Sequence, residues 1–210
     1  MASVIVFLGA GYVALDLAAR SVAENQLAHA IRTRTAAQSV AVQVDSVPFL
    51  FDLVVRGSVQ VVDVQLVQVP VGKLDVARID VSARTVRIDR HDLVGSRRVH
   101  ATSISSAAVS VTVTAAELSK AIGHRVVLAG SDTVKVAIGP VMVPATIGVI
   151  DGHVLTVGED GVQLLGIDLA TSAVVPRCAM KLTVSHDSAT LICHVAPVPP
   201  SLVAGISTGA

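Results

Sequence analysis

The sequence predicts an α+β protein: one long N-terminal helix packed on a highly curved, bulged antiparallel sheet, with one or two short helices. Three observations carry this. Apolar residues recur at helical spacing from Tyr12 to about Arg34, and no Gly or Pro interrupts the chain between Gly11 and Pro48. Beyond Gly57 segment after segment alternates apolar and polar residues with the period of a strand. Some of those alternations shift phase by one residue without a turn signal, as β-bulges do when they bend and twist a strand.

The long helix is defined by Leu15, Ala19, Ala23, Leu27 and Ile31, with Val22 and Ala30 on the same face and Arg20, Glu24, Asn25 and Arg32 largely off it. Ser39–Asp45 alternates as a strand. Val47-Pro48-Phe49-Leu50-Phe51-Asp52-Leu53 reads as a short amphipathic helix with Pro48 near its first turn, closing at Gly57. In Ser58–Val69 the apolar phase passes from Val59 and Val61 to Val62, Val64 and Leu66, then to Val67 and Val69. In Leu74–Ile88 it passes from Ile79, Val81 and Ala83 to Val86 and Ile88. Val109, Val111 and Val113 form another strand, after which Thr114-Ala115-Ala116-Glu117 is a capping box for a short helix ending at Gly123. Val134–Ile138 and Val141–Val149 continue the sheet, and Asp151-Gly152 is a hairpin signal. Met180, Leu182 and Val184 face Ala189, Leu191 and Cys193 across a turn near His186-Asp187. The pattern assigns no element to Leu165–Val175. The chain divides into an apolar N-terminal segment (1–14), one domain (15–197) and a frayed tail (198–210).

Composition narrows the function. Of the 210 residues 52% are hydrophobic, 15% charged and 2% aromatic, with no Trp. An average soluble domain has roughly 25% charged residues, and a mean hydropathy of +0.70 requires extensive apolar burial. No uncharged apolar run reaches the ~18 to 20 residues of a spanning helix. Sixteen basic residues balance sixteen acidic ones, and aromatics on which bases could stack are scarce, so nucleic acid is not the expected partner.

Met1–Leu15 carries no charged side chain. It fits the remnant of a signal or anchor segment or an ordinary buried N-terminus, and Gly9-Ala10-Gly11 resembles a dinucleotide-binding fingerprint. A doubly wound fold requires strands and helices to keep alternating. They do not, and the helix is too long for the first helix of such a unit. An NAD-dependent enzyme using Gly9 and Gly11 is therefore a remote alternative.

No Walker loop, HExxH, CxxC or GxSxG elbow occurs, the seven histidines (29, 91, 100, 124, 153, 186 and 194) lack metal-ligand spacing, and no catalytic residue, metal or cofactor is expected. Arg84, Arg87, Arg90, Arg97 and Arg98 are diluted by Asp80, Asp89 and Asp92 and read as a solvated face. Cys178 and Cys193 both fall on the apolar face of the last hairpin. A register with Met180 opposite Leu191 brings them together as a disulfide. A two-residue slip separates them, and two buried thiols fit equally.

Asp16-Leu17-Ala18-Ala19, Ala23-Glu24 and Leu27-Ala28 on the long helix, with Val47-Pro48-Phe49-Leu50 closing at Gly57, resemble the LmeA-like actinobacterial phospholipid-binding family. One departure is local: that family has a Gly two residues before the Pro-Phe-Leu element, where this chain has Asp45-Ser46. The resemblance implies a tubular lipid-binding half-barrel, and a non-catalytic protein of the extracytoplasmic cell envelope, periplasmic or membrane-anchored. It implies phospholipid or another acyl lipid as ligand and a membrane surface as partner. The aliphatic excess suits acyl chains held between helix and sheet, each buried methylene contributing ~0.8 kcal/mol. The expected lipid site is an apolar patch of Phe49, Leu50, Phe51 and Leu53 at the cavity mouth; the alternative is that one Phe plugs the core. A structural or interaction module of the envelope with a filled core is the other reading.

Overall fold

A computed structural model describes residues 2–89, 101–130, 133–151, 153–159, 162–169 and 178–200. Helix α1 (Ala2–Thr35) runs unbroken for 34 residues and takes in the apolar N-terminal segment. Gly9 and Gly11 thus lie inside a helix rather than at a strand-to-helix turn, which removes the fingerprint reading. Arg32 and Arg34 in the last turn complement the helix dipole, and Ala36 leaves the helix at φ +52°.

The strands are β1 (Ser39–Asp45), β2 (Ser58–Val71), β3 (Leu74–Ile88), β4 (Ala101–Thr114), β5 (Val126–Leu128), β6 (Thr133–Ile138), β7 (Val141–Ile150), β8 (Val154–Glu159), β9 (Val162–Asp168), β10 (Lys181–Val184) and β11 (Ser188–Val195). Two short helical pieces, Phe49–Phe51 (α2) and Ala115–Ile122 (α3), interrupt them. The strands divide between two sheets, a six-stranded one ordered β1-β2-β3-β4-β11-β10 and a five-stranded meander β5 to β9. Every pairing is antiparallel, and neither sheet closes into a barrel. The protein is α+β as expected, but with a second sheet rather than one.

The phase shifts read from the sequence have a structural counterpart. β2 and β3 keep one register throughout, yet the ladder passes over Gln60 and its neighbour Thr85, and again over Gln68 and Ala77. On β4 it passes over Ser105, beside Thr85. Thr85 and Gln68 take left-handed φ values of +49° and +52°. The extra residues therefore occur on facing strands together. This keeps the register while turning the apolar face: Leu66 and Val69 are both buried, as are Val76 and Ile79. Three neighbouring strands bending along Gln60, Thr85 and Ser105 curve the large sheet.

The main core lies between the two sheets. Leu66, Ile79, Val111 and Leu191 of the large sheet meet Val134, Ile147, Leu155 and Val157 of the small one, with Leu118 of α3 at one end. Helix α3 is set by the expected capping box: Thr114 accepts from the Glu117 N–H, Glu117 reaches back to the Thr114 N–H, and Gly123 closes it at φ +77°. The small sheet was the part the pattern underread. β5 is three residues long, β8 follows the Asp151-Gly152 hairpin signal, and β9 runs into Leu165–Val175, where the pattern assigned no element.

The last hairpin differs from expectation in register. Leu182 pairs with Leu191 and Val184 with Ala189, two residues away from the alignment of Met180 with Leu191. Cys178 and Cys193 are nevertheless joined in a disulfide, their Cα atoms 6.1 Å apart. Cys178 precedes the first ladder residue, Lys181, so the slipped register does not bind it, and it reaches Cys193 diagonally. Of the expected frayed tail, Val198 instead packs on Ala101 and Ile104 and donates its N–H to the Ile104 carbonyl at 3.3 Å; residues 201–210 lie outside the described residues, as do Arg90, His91, Arg97, Arg98 and His100.

Candidate functional site

The segment from Asp45 to Gly57 is held by two buried carboxylates. Asp16 of α1 accepts the backbone N–H of Phe49 at 3.0 Å and of Leu50 at 2.6 Å. Pro48 has no side chain able to cap α2, so Asp16 satisfies its first free N–H groups from 33 residues away. Asp52, 1% exposed, accepts from Ser46 Oγ (2.7 Å), Arg56 (2.9 Å) and Gln60 (3.3 Å). Ser46 is the departure from the family pattern, and here its hydroxyl is one of the groups that keep Asp52 solvated. From Asp52 the backbone widens into a π-helical turn (Asp52–Arg56), with the Gly57 N–H bonding the Asp52 carbonyl and Gly57 at φ +65°.

These anchors separate the four sequence-chosen residues. Phe49 is buried with Val44 and Val59, against Ala19 and Ala23 of α1. Leu50 and Leu53 are half-buried on the edge of the same cluster. Phe51 is 43% exposed, with the Arg56 guanidinium carbon 5.6 Å from its ring centroid. Val47, Val54 and Val55 are exposed beside it.

Helix α1 also protects the open edge of β1. Glu24 Oε1 accepts the outward Val44 N–H at 2.8 Å and Arg20 Nε at 2.9 Å, while Arg20 reaches Asp45 at 3.1 Å. The hydrogen bond to Glu24 is the main reason the Arg20 guanidinium is held above its ordinary pKa; partial burial opposes this and Asp45 adds to it.

The large sheet has two unlike faces. On the core side, register places Val42, Val64, Val81, Val109 and Cys193 in one row and Val44, Val62, Ala83, Ala107 and Val195 in the next. In these rows Val42, Val62, Val64, Val81, Ala83, Ala107 and Val195 are only half-buried, and the strip runs into the Phe49 cluster through Val42 and Val62. It is wholly aliphatic apart from the disulfide sulfur. On the reverse face a depression of about 630 Å³ is lined by Gln43, Asp63, Gln65, Asp80, Ser82 and His194 together with Ala41, Ala108 and Ile192, and it also touches Val42, Val64, Val81 and Val109 of the first row. There Asp80 accepts from Gln65 (3.1 Å) and Arg78 (3.0 Å). None of Phe49, Leu50, Phe51 or Leu53 lines that depression. The strip escaped the sequence reading because only the register shows that valines of five strands form two continuous rows.

The long helix lies along the β1 edge of a curved sheet whose inner face carries an incompletely covered aliphatic strip. The family model for LmeA-like phospholipid-binding proteins matches residues 14–208, and the chain belongs to that family. No curated protein and no solved structure matches it. The family is described by lipid binding rather than by a reaction. The residues that carried the resemblance meet in space, Asp16 bonding the backbone of Phe49 and Leu50.

Proposed function

We propose that this protein carries phospholipid in the cell envelope without catalysis, the acyl chains lying along the half-buried strip. The strip is the observation that carries the reading: two rows of Val and Ala side chains across five strands, incompletely covered. Acyl chains need apolar area and no reactive group, and covering such a surface contributes ~25 cal/mol per Å². An extracytoplasmic location is supported by the Cys178–Cys193 bridge, since disulfides persist in oxidising compartments, and by the uncharged N-terminal stretch. Transfer between membranes follows if the strip releases what it binds.

Native mass spectrometry of the purified protein, with lipid extraction, tests this. Co-purified phospholipid, or uptake from vesicles in a one-to-one ratio, is the expected result. A protein that stays lipid-free after incubation with vesicles overturns it and favours an interaction module, a reading that the tightly filled core between the two sheets also fits.

A further inference from the structure

We infer that one end of the molecule is built to dip into a phospholipid bilayer, through the exposed turn of α1 around Leu15 together with the tip formed by Val47, Phe51, Val54 and Val55. The inference rests on the lipid-carrier reading and specifies where the carrier meets its membrane.

Three observations converge. Tyr12, Val13, Ala14 and Leu15 are consecutive and all exposed, Leu15 by 62%. At 100° per residue these four cover every side of the helix. Apolar exposure on every side of one turn is surface that shallow insertion at a bilayer interface covers. Second, Val47 (78% exposed), Val54 (57%), Val55 (53%) and Phe51 form a second apolar prong, fixed beside the first by the two Asp16 hydrogen bonds. Third, the charges suit a phospholipid surface. Asp52 is buried in its own bonds, while Arg56, its side chain 60% exposed, stands against Phe51 at the base of the tip. Paired with Asp52 at 2.9 Å, Arg56 lays its stem along apolar surface and leaves that pair without net charge at the tip.

Among the described residues no helix is long and apolar enough to cross a membrane; interfacial docking needs only shallow insertion. The docked end adjoins the lipid strip through Val42, Val62 and Phe49, so an acyl chain leaving the bilayer there meets aliphatic surface continuously.

The test is co-sedimentation of the full chain with vesicles of phosphatidylcholine, with and without phosphatidylglycerol. The variants are Val54→Asp with Val55→Asp, Leu15→Asp, and as control Val141→Asp, which is 58% exposed on β7. The wild type partitions onto both vesicles. Each tip or helix variant loses about tenfold in partitioning, with a melting temperature within about 2 °C of wild type, and the control keeps its binding. Equal loss in the control, or no loss in either variant, overturns the proposal. So does a wild type that ignores vesicles, including one that forms a dimer abolished by the Val54→Asp, Val55→Asp pair, which would assign the end to a second copy. A protein that holds lipid by mass spectrometry yet ignores vesicles fails here only; one that binds vesicles but never retains a lipid fails the carrier reading only.

Discussion

The Asp16 carboxylate accepts the Leu50 N–H at 2.6 Å across 34 residues of chain, joining the long helix to the tip of the molecule. The same carboxylate takes the Phe49 N–H; the Phe49 donor is buried and the Leu50 donor half-buried. Asp16→Ala leaves them unpartnered, at a cost of about 2–4 kcal/mol. For a chain of this size that is a fall in Tm of about 4–16 °C. Asp16→Asn retains one acceptor and loses less. Leu17→Ala, an exposed neighbour, stays within about 0.5 kcal/mol. Thermal unfolding followed by circular dichroism checks all three; an unchanged Asp16→Ala would show that the bonds do not hold the tip.

Phe49 and Phe51 should respond differently, although the sequence groups them. Phe49→Ala empties the centre of the cluster formed with Val44 and Val59 and costs about 3–5 kcal/mol. Phe51→Ala removes a half-exposed ring and one cation–π contact, about 1 kcal/mol or less. Urea midpoints measured at constant m-value separate the two. Equal losses would mean that Phe51 is packed more tightly than its exposure implies.

Much of the fold was legible in the sequence because the signals were local. β1 and β3 have the boundaries their alternation gave, and the Thr114 capping box and Gly123 end α3 as read. Even the bends were foreshadowed, since a sheet that keeps its register while turning its apolar face must show the same phase shift on neighbouring strands. Less was legible where a contact spans the chain. Asp16 reads as the end of an uncharged apolar run and Asp52 as part of a short amphipathic helix; nothing local shows that the first binds the Phe49 and Leu50 N–H groups or that the second gathers Ser46, Arg56 and Gln60. The register of β10 and β11 was ambiguous because a two-residue slip preserves the buried face. The second sheet was underread because its strands are short and Gly-interrupted.

Glu24 tests the protection of the open sheet edge. Glu24→Ala frees the Val44 N–H and takes away the strongest partner of Arg20. The expected loss is about 1–2 kcal/mol, together with concentration-dependent association, because an uncovered edge strand pairs with another chain. Light scattering across a dilution series detects the second effect. Glu24→Gln keeps an acceptor for Val44 and should remain monodisperse wherever wild type is.

The Cys178–Cys193 bridge has a sequence separation of 15 and ties the approach to β10 onto β11. Replacing both cysteines with alanine should cost about 3 kcal/mol, the loop-closure value for that length. Guanidinium unfolding of the double variant against oxidised wild type measures it. Reduced wild type should behave like the variant. If reduction leaves the midpoint unchanged, the hairpin is held by Leu182, Leu191 and Ala189 without the bridge.

Ala107 offers the sharpest test of the lipid strip. It faces Ala83 across β3 and β4 on the inner surface, half-buried, and belongs to none of the tightly packed clusters. A phenylalanine there finds space on the uncovered side, so stability should change by about 1 kcal/mol or less, short of the 1–3 kcal/mol typical of overpacking in a closed core. The ring occupies area that an acyl chain would cover, and bound phospholipid by native mass spectrometry should fall by about tenfold. Val81→Asp, one row away, should abolish binding by placing a carboxylate under the chain, since desolvating an unpaired charge costs several kcal/mol. Ser82→Phe points to the reverse face, beside Asp63 and Asp80 in the depression there, and should leave lipid content unchanged. Were Ser82→Phe to remove the lipid while Ala107→Phe retained it, the ligand would lie on the polar face and the acyl chains would have to be assigned there instead.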